Sequence, residues 1–320
     1  MIHTTPENRK YMRETEKIAI LLASYNGETY IAEQIESLLA QTETGWDLFV
    51  HDDGSTDRTS EILRCYEARY PDRIHVLEGL PCGGAKDNFF RMMQEVRAPY
   101  VMFCDQDDVW LPQKVDLTHR EMKRLEAQHG SETPLLVFTD LCVTDERLNL
   151  ISERLSVCQK LDPRRTKAKD IMIQNVVTGC TVMINRVLAE LAIRPENTSR
   201  IIMHDWWCAL IGASFGAVSY IDQALVLYRQ HGDNAMGAKY LNSLRYLTAR
   251  IRRPADIRNS LLATQRQAAF FAETFPAADA IFREYGELSS KKKAERLRFY
   301  TKNGIQKCGW QRNLGLFVWG

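Results

Sequence analysis

Short apolar runs alternate with helical patterns along the first half of this 320-residue chain. A run such as KIAILLASYNG, residues 17–27, has the length of a buried strand and ends in a polar turn, and the helical pattern YIAEQIESLLAQ, residues 30–41, follows it. This order predicts β-α-β-α units and an α/β fold with a mostly parallel central sheet flanked by helices. Because ligands bind at the carboxyl ends of the strands in such sheets, the polar turns are the candidate site.

Four polar clusters lie at predicted strand ends, at residues 24–27, 52–57, 83–88 and 105–108. The last of them places Asp105, Asp107 and Asp108 within four positions, directly after an apolar strand. Carboxylates this close repel one another unless a cation or a hydrogen-bond donor lies among them. Mg²⁺ or Mn²⁺ with a nucleoside diphosphate would satisfy them, whereas the simpler alternative is that Asp108 caps the next helix.

Composition excludes several classes of function. The chain has 42 basic and 41 acidic residues, which predicts no nucleic-acid partner, and no phosphate-binding loop of the Walker type or dinucleotide fingerprint follows a strand. Its eight cysteines show no zinc-site spacing, so we interpret them as reduced thiols. No apolar run has the length of a signal peptide core or a membrane span, and we therefore expect a cytoplasmic protein.

Three early segments, ILLASYNGETYIAEQIESLLAQT, DDGSTDRT and DQDDVWLPQKV, resemble the nucleotide-binding half of glycosyltransferase family 2 enzymes. The later NVVTGCTVMIN, MHDWW and YRQHGDN resemble the bacterial rhamnosyltransferase-like branch, which builds cell-surface polysaccharides. The resemblance spans roughly residues 17–237 and implies the GT-A fold. The implied organisation is a polar tail (1–16), a GT-A domain (17–238, with a nucleotide-binding half 17–115 and an acceptor half 116–238) and a basic, mostly helical C-terminal extension (239–320).

The resemblance also implies a set of donor-binding positions. Asp53 falls where the family contacts the nucleobase, and backbone groups of Ala23 and Tyr25 take the place of a Thr or Ser that the family has in the first turn. Asp105 is expected near the ribose and Asp107 on the metal. The loop over the sugar nucleotide places Gly84 and Asn88 at the donor, with Lys86 either on a phosphate or in solvent.

A catalytic base is implied at the start of a helix in the second half, where Asp205 matches. His204 stands where many members have Glu, and it either tunes the base or packs. Thr178, Gly179, His204 and Trp206 are expected to shape the acceptor site. The alternatives are a buried turn at the first two, a helix cap at Asp205 and a Trp that belongs to the core.

Two further candidates lie together in YRQHGDN. A neutral His231 could complete the metal shell, and Arg229 could neutralise charge that develops on the leaving diphosphate. The alternatives are a histidine without a ligand and an exposed arginine.

The last 33 residues, 288–320, contain eight Lys or Arg and one Glu, and aromatic residues are interleaved at Trp310, Phe317 and Trp319. This pattern suits peripheral contact with an anionic membrane surface, which would place the protein on the inner face of the plasma membrane. The alternative is a solvated helix whose aromatic residues dock on the main domain.

Together these features predict a metal-dependent inverting glycosyltransferase. We expect L-rhamnose to move from dTDP-rhamnose to a glycan or lipid-linked glycan acceptor, with a UDP-hexose or UDP-N-acetylhexosamine donor as the alternative. A non-catalytic nucleotide- or glycan-binding protein would use the same fold without the base. Nucleotidyl transfer would need a basic triphosphate-binding loop that the sequence lacks.

Overall fold

The computed structural model describes residues 13–231 and 254–319. Most of the expected polar tail, the end of the YRQHGDN motif and the first part of the C-terminal extension lie outside the described residues. The strands of the described residues are β1 (Arg13–Glu14), β2 (Ile18–Ser24), β3 (Trp46–Asp52), β4 (Ile74–Leu77), β5 (Val96–Arg97), β6 (Tyr100–Asp105), β7 (Val109–Trp110), β8 (Leu135–Thr144), β9 (Leu150–Ser152), β10 (Val182–Asn185) and β11 (Ala217–Arg229).

Helices connect and cover these strands. They are α1 (Ile31–Leu39), α2 (Thr59–Arg69), α3 (Ala85–Glu95), α4 (Lys114–His129), α5 (Leu155–Cys158), α6 (Ala168–Ile173), α7 (Arg186–Ala192), α8 (His204–Phe215), α9 (Pro254–Thr274), α10 (Ile281–Gly286), α11 (Lys293–Asn303) and α12 (Trp310–Trp319). The expected fold class is confirmed, because an α/β sheet lies between helices and C-terminal helices follow it.

Nine strands form one sheet in the order β4-β3-β2-β6-β10-β8-β11-β7, with β9 paired to β8. The first four in this order are parallel, and β10 then enters antiparallel between β6 and β8. The pattern AVSYIDQALVLYRQHGDN, residues 217–234, predicts a pair of strands that runs into a polar loop. Instead, residues 217–229 form the single strand β11, which runs parallel to β8 along almost its whole length and bends at two irregularities in the pairing.

The central strand β2 is buried along its whole length, which its uninterrupted apolar sequence predicts. Its side chains alternate between two cores. Ala19 and Leu21 pack towards α3, α8 and the C-terminal helices, whereas Ile20 and Leu22 pack towards α1, α2 and α4. The two layers of helices therefore hold one sheet, and its carboxyl edge stays open between them.

The C-terminal helices belong to the same core as the sheet. Trp207 of α8 is fully buried, and its ring lies 5.5 Å from Phe270 and 5.2 Å from Phe271, both in α9, and 5.9 Å from Phe275, which follows directly after that helix. Leu316 of α12 is also buried in this cluster. No helix within the described residues combines the length and the apolar character needed to span a bilayer.

Replacing Trp207 should therefore loosen the join between the sheet and the C-terminal helices. We expect Trp207→Ala to lower the free energy of unfolding by about 3–5 kcal/mol, because it leaves a cavity among three phenylalanines. Trp310, which is 70% exposed, provides a matched control, and Trp310→Ala should change stability by less than about 0.5 kcal/mol. Urea unfolding followed by circular dichroism measures both, and equal midpoints for the two variants would contradict this packing.

Candidate active site

The register of the parallel strands brings the polar turns to one edge. In β2, Ser24 pairs with Asp52 of β3, and Ala23 pairs with Asp105 of β6. All three strands end at this level of the sheet, so the side chains that follow them meet there. The sequence expectation of convergent clusters is confirmed at this edge.

Hydrogen bonds join the first two turns to each other. Asn26 has a positive φ of 47°. Its Oδ1 accepts a hydrogen bond from the Thr56 N–H at 2.8 Å, and its own N–H donates to Ser55 Oγ at 2.8 Å. The N–H of Gly27 donates to Thr59 Oγ1 at 2.7 Å. Side-chain oxygens of one turn thus hold the backbone of the other.

Asp53 links the second turn to the loop before α3. Its carboxylate accepts N–H groups from Cys82, Gly83 (3.1 Å) and Gly84 (2.8 Å). The two glycines have φ values of 85° and 147°, where a side chain would be strained, and this explains why the loop uses glycine. Asp53 therefore positions the loop that contains Gly84.

Asn88 and Lys86 lie differently from what the family resemblance implied. Asn88 is buried inside α3: its Oδ1 is 2.9 Å from His51 Nδ1, and its Nδ2 donates to the His51 carbonyl at 3.1 Å. Its polar atoms are occupied because this position of the helix faces the sheet. Lys86 Nζ donates to the carbonyl oxygen of Thr198 at 3.0 Å and so ties α3 to the loop before α8.

The side chain of Gln106 forms hydrogen bonds with both backbone polar groups of Tyr25, the groups that were expected to bind the donor. The Tyr25 N–H donates to Gln106 Oε1 at 2.8 Å, and Gln106 Nε2 donates back to the Tyr25 carbonyl at 2.9 Å. The Tyr25 ring is 55% exposed, so its side chain faces outward from this edge. Ala23 lies in the β2 ladder, nearly buried, between His51 and Asp105.

Four aspartates crowd the edge after β6. Burial, together with the charges of Asp107 and Asp205, raises the pKa of Asp105 to about 7. Asp108 is fully buried, and burial together with its acidic neighbours raises its pKa as well. A positive charge among these groups would relieve the repulsion.

His231 supplies one possible partner for these acids. Its Nε2 lies 2.7 Å from Asp107 Oδ2, and its ring packs against Tyr30. The structure thus brings together the two residues expected to bind a metal. Two carboxylates and an imidazole suit Mg²⁺ or Mn²⁺, and Asp105 would supply the second carboxylate.

Cys180 also lies near two of the acids, since its sulfur and the carboxylates of Asp105 and Asp108 fall within 4.8 Å of one another. Burial raises the pKa of this thiol well above its usual value. Thiolate ligands suit softer metals, whereas Mg²⁺ and Mn²⁺ prefer oxygen ligands. The direct contact between Asp107 and His231 makes these two residues the better candidates, and Asp105 lies near enough for the charge of Asp107 to raise its pKa.

Arg229 is buried and hydrogen-bonded, so the alternative of an exposed arginine is wrong, and its contact with the diphosphate stays a prediction. It is 3% exposed, its Nε donates to the Asp107 carbonyl at 2.9 Å, and its Nη1 donates to the Glu146 carbonyl at 2.5 Å. Its Nη2 pairs with Glu33, and the guanidinium lies over the Tyr30 ring. Arg229 therefore fixes the backbone of the acidic loop.

Lys114 is a second buried cation that the sequence analysis missed. It is fully buried, its Nζ lies 3.3 Å from the centre of the Trp110 ring, and it has no hydrogen-bond partner among the described residues. Burial lowers its pKa to about 7, opposed in part by the charge of Asp108. A lysine in the first turn of a helix is electrostatically unfavourable, and that signal could have identified it.

Asp205 lies in the first turn of α8, 8% exposed. Burial raises its pKa to about 7, and backbone N–H groups, including that of Trp206 at 2.6 Å, oppose the shift. Its charge in turn raises the pKa of Asp105 across the site. A carboxylate poised near neutral pH beside the candidate metal ligands has the properties of a general base.

His204 packs between aromatic rings, which is one of the alternatives that the sequence left open. Its ring lies 4.2 Å from Phe89 and 4.7 Å from Phe103, and neither ring nitrogen has a hydrogen-bond partner among the described residues. Burial lowers its pKa to about 3, so the ring is neutral. A Cβ on Gly179 would come 2.9 Å from His204 Nε2, so the glycine leaves room for this ring.

The remaining acceptor candidates border Asp205. Trp206 is half-buried and donates its ring N–H to the Ile171 carbonyl at 2.6 Å, whereas Trp207 belongs to the core. Thr178 precedes a short 3₁₀ turn, and its carbonyl accepts a hydrogen bond from the Thr181 N–H.

A separate cleft of about 230 Å³, lined by Gly54, Leu77, Pro81 and neighbours, includes none of Asp105, Asp107 or Asp205.

Comparison with known proteins places this edge in a family context. Residues 19–129 match the model of the family described as glycosyl transferase family 2. The chain is similar to the dTDP-rhamnosyl transferase RfbG of Shigella flexneri, with 28% identity over 235 residues, which cover 70% of this chain and 76% of RfbG.

Solved structures show the same fold at much lower identity. The structure of S. aureus TarS 1–349 in complex with UDP-GlcNAc superimposes with a TM-score of 0.54 and 15% identity, covering 89% of this chain and 73% of TarS. The similarity extends through the acceptor half, beyond the segment that the family model matches.

The raised pKa of Asp205 predicts a measurable stability cost. Between pH 4 and 7 the folded state retains a proton that an unfolded carboxyl, with an ordinary pKa of 3.8, has already lost, so stability falls as pH rises through this window. In metal-free protein, Asp205→Asn should be more stable than the parent by about 1–4 kcal/mol at pH 8, with little difference at pH 4. Thermal unfolding across pH measures this.

The exposed Asp72 is the matched control, and Asp72→Asn should leave the unfolding midpoint nearly unchanged at every pH. A midpoint for Asp205→Asn that lies below that of the parent at pH 8 would contradict the assigned environment.

Arg229 makes several hydrogen bonds at once, which we call the Arg229 clamp, so we expect that a lysine with the same charge cannot replace it. Arg229→Lys should destabilise the protein by about 2–3 kcal/mol, because it leaves buried acceptors unpaired. Arg120, which is 75% exposed and pairs with Asp116, is the control, and Arg120→Lys should change stability by less than about 0.5 kcal/mol. Urea unfolding compares them, and equal effects would contradict the clamp.

Proposed function

We propose that this chain, whose residues 19–129 match the model of glycosyl transferase family 2, transfers a sugar from a nucleoside diphosphate to a glycan hydroxyl with inversion, using L-rhamnose from dTDP-rhamnose. The observation that carries the proposal is the convergence of Asp205 with Asp105 and Asp107 at the carboxyl edge of the sheet. Similarity to a dTDP-rhamnosyl transferase supports the choice of donor.

Asp205 acts as the base in this proposal. Its carboxylate takes the proton of the acceptor hydroxyl while that oxygen bonds to the anomeric carbon, and the bond to the diphosphate breaks on the opposite face. A pKa of about 7 matches this task near neutral pH, since the group is ionised when free and basic enough to accept the proton.

Asp105, Asp107 and His231 would hold Mg²⁺ or Mn²⁺. When bound, the ion neutralises charge that develops on the leaving diphosphate. Arg229 acts indirectly on the metal site, because its hydrogen bond to the Asp107 carbonyl positions the acidic loop. The mutual repulsion that raises the pKa of Asp105 supports a cation at this place.

The donor would bind beside the linked turns. The exposed ring of Tyr25 offers a surface for the base, and Asp53 together with the backbone at Ala23 borders the same end of the sheet. Gly84 lies in the loop that Asp53 fixes, so it can approach the donor closely without a side chain. Thr178, Gly179 and Trp206 would border the acceptor next to Asp205.

Calorimetric titration with dTDP, UDP and GDP, with Mn²⁺ and then with chelator, tests the donor site. We expect binding that requires Mn²⁺ and is tightest for dTDP, and loss of that binding in Asp107→Asn. Tighter binding of UDP would replace the rhamnose donor with a UDP-sugar. Binding that is unaffected by chelator would contradict the metal role.

Donor turnover tests the base. Asp205→Asn should keep Mn²⁺-dependent nucleotide binding and lose about 100-fold or more of the release of dTDP from dTDP-rhamnose. Asp72→Asn is again the control and should match the parent. If Asp205→Asn retained turnover, Asp205 would not be the catalytic base. If the parent showed no turnover, a non-catalytic binding protein would be favoured.

A further inference from the structure

Exposed apolar side chains concentrate on one part of the molecule. Among the described residues, eight large hydrophobic side chains are exposed, and six of these lie either in residues 150–157 or in α12. The six, called the apolar face below, are Leu150, Ile151, Val157, Trp310, Leu314 and Val318.

Helix α12 presents two apolar faces. Leu316 is buried against the core, which fixes the helix to the protein. Trp310, Leu314 and Val318 are four residues apart and therefore share the other face, where they are 70%, 55% and 41% exposed. The Trp319 side chain lies outside the described residues. A helix already held by one side has no packing need for a second apolar stripe, so this stripe requires an explanation.

Arg312 joins the two parts of the apolar face. Its guanidinium donates to the carbonyl of Gln159 at 2.7 Å and to that of Lys160 at 3.2 Å. These two residues follow directly after α5, which contains the 69%-exposed Val157. The segment 150–157 and the start of α12 are therefore neighbours.

Positive charge surrounds this face. Residues 147–169 contain seven Lys or Arg and two Asp or Glu, and residues 288–320 contain eight and one, although the whole chain has a net charge of only +1. Lys293 donates to the Val318 carbonyl at 3.0 Å, which places the 291–293 lysines at one end of the stripe. Arg154 and Arg164 both pair with Asp222, and Lys160 and Lys167 are exposed.

We propose that the apolar face binds the surface of an anionic lipid bilayer. Trp, Leu and Val side chains on one helix face can enter the boundary between headgroups and acyl chains, while the surrounding cations meet lipid phosphates. Apart from Trp310, whose ring could stack on a base, the stripe is aliphatic and offers nothing that a nucleic acid would recognise. The inference does not depend on the transfer reaction, because vesicle binding needs neither donor nor acceptor.

Vesicle flotation of the full chain tests the inference. We expect it to float with phosphatidylcholine vesicles that contain phosphatidylglycerol, much less with phosphatidylcholine alone, and less as NaCl is raised. The double variant Trp310→Ser, Leu314→Ser should bind the anionic vesicles about tenfold more weakly or worse. Leu80→Ser is the matched control, since Leu80 is 83% exposed but outside the apolar face, and it should bind like the parent.

A second variant tests the charge separately. Replacing Lys291, Lys292 and Lys293 by Gln should weaken binding about tenfold or more at low salt and little at high salt. Unfolding midpoints confirm that each variant is folded. The inference is overturned if the parent does not float with anionic vesicles, or if the double variant floats as well as the parent. It is equally overturned if Leu80→Ser loses as much vesicle binding as the double variant. It is also overturned if the double variant instead dissociates a dimer in sedimentation, since the face would then join two copies.

Discussion

Repulsion among carboxylates at the carboxyl edge of the sheet is the constraint on which the rest of the site depends. Strand register brings Asp105 to this edge, the following loop adds Asp107 and Asp108, and the first turn of α8 adds Asp205 from the opposite side. In a partly buried place such charges interact strongly. Burial raises the pKa of both Asp105 and Asp205, and the charges of Asp107 and Asp205 add to the shift at Asp105, so ionisation at this edge is unfavourable without a cation.

Several positively charged or polar groups lie around these carboxylates. Arg229 donates a hydrogen bond to the loop backbone at Asp107, Lys114 lies buried near Asp108, and His231 contacts the Asp107 carboxylate. Arg229 and His231 hold the loop while the carboxylates of Asp105 and Asp107 stay partly exposed. That arrangement suits a divalent ion that arrives with a diphosphate, because both partners are then needed to complete the site.

The sequence predicts the parts of this account that local pattern determines. Apolar strands and polar turns identified β2, β3 and β6, and their parallel order was enough to expect Asp53 and Asp105 at one edge. Partners distant in sequence could not be read in this way. Arg229 pairs with Glu33 across 196 positions, and the contacts of Asn88 and His204 follow from which side of a helix meets the sheet. Gln106 was missed for the same reason, since nothing local marks its contact with Tyr25.

The central claim is that Asp105, Asp107 and His231 hold a divalent cation on the donor side of Asp205. Anomalous diffraction at the manganese edge, from crystals grown with dTDP and Mn²⁺, tests it most directly. The account predicts a single strong peak about 2.0–2.3 Å from ligand atoms of Asp107 and His231, with the diphosphate on its open side. A peak at the other cluster of candidate ligands, His51, Asp53 and Cys82, or no peak beside bound dTDP, would contradict it.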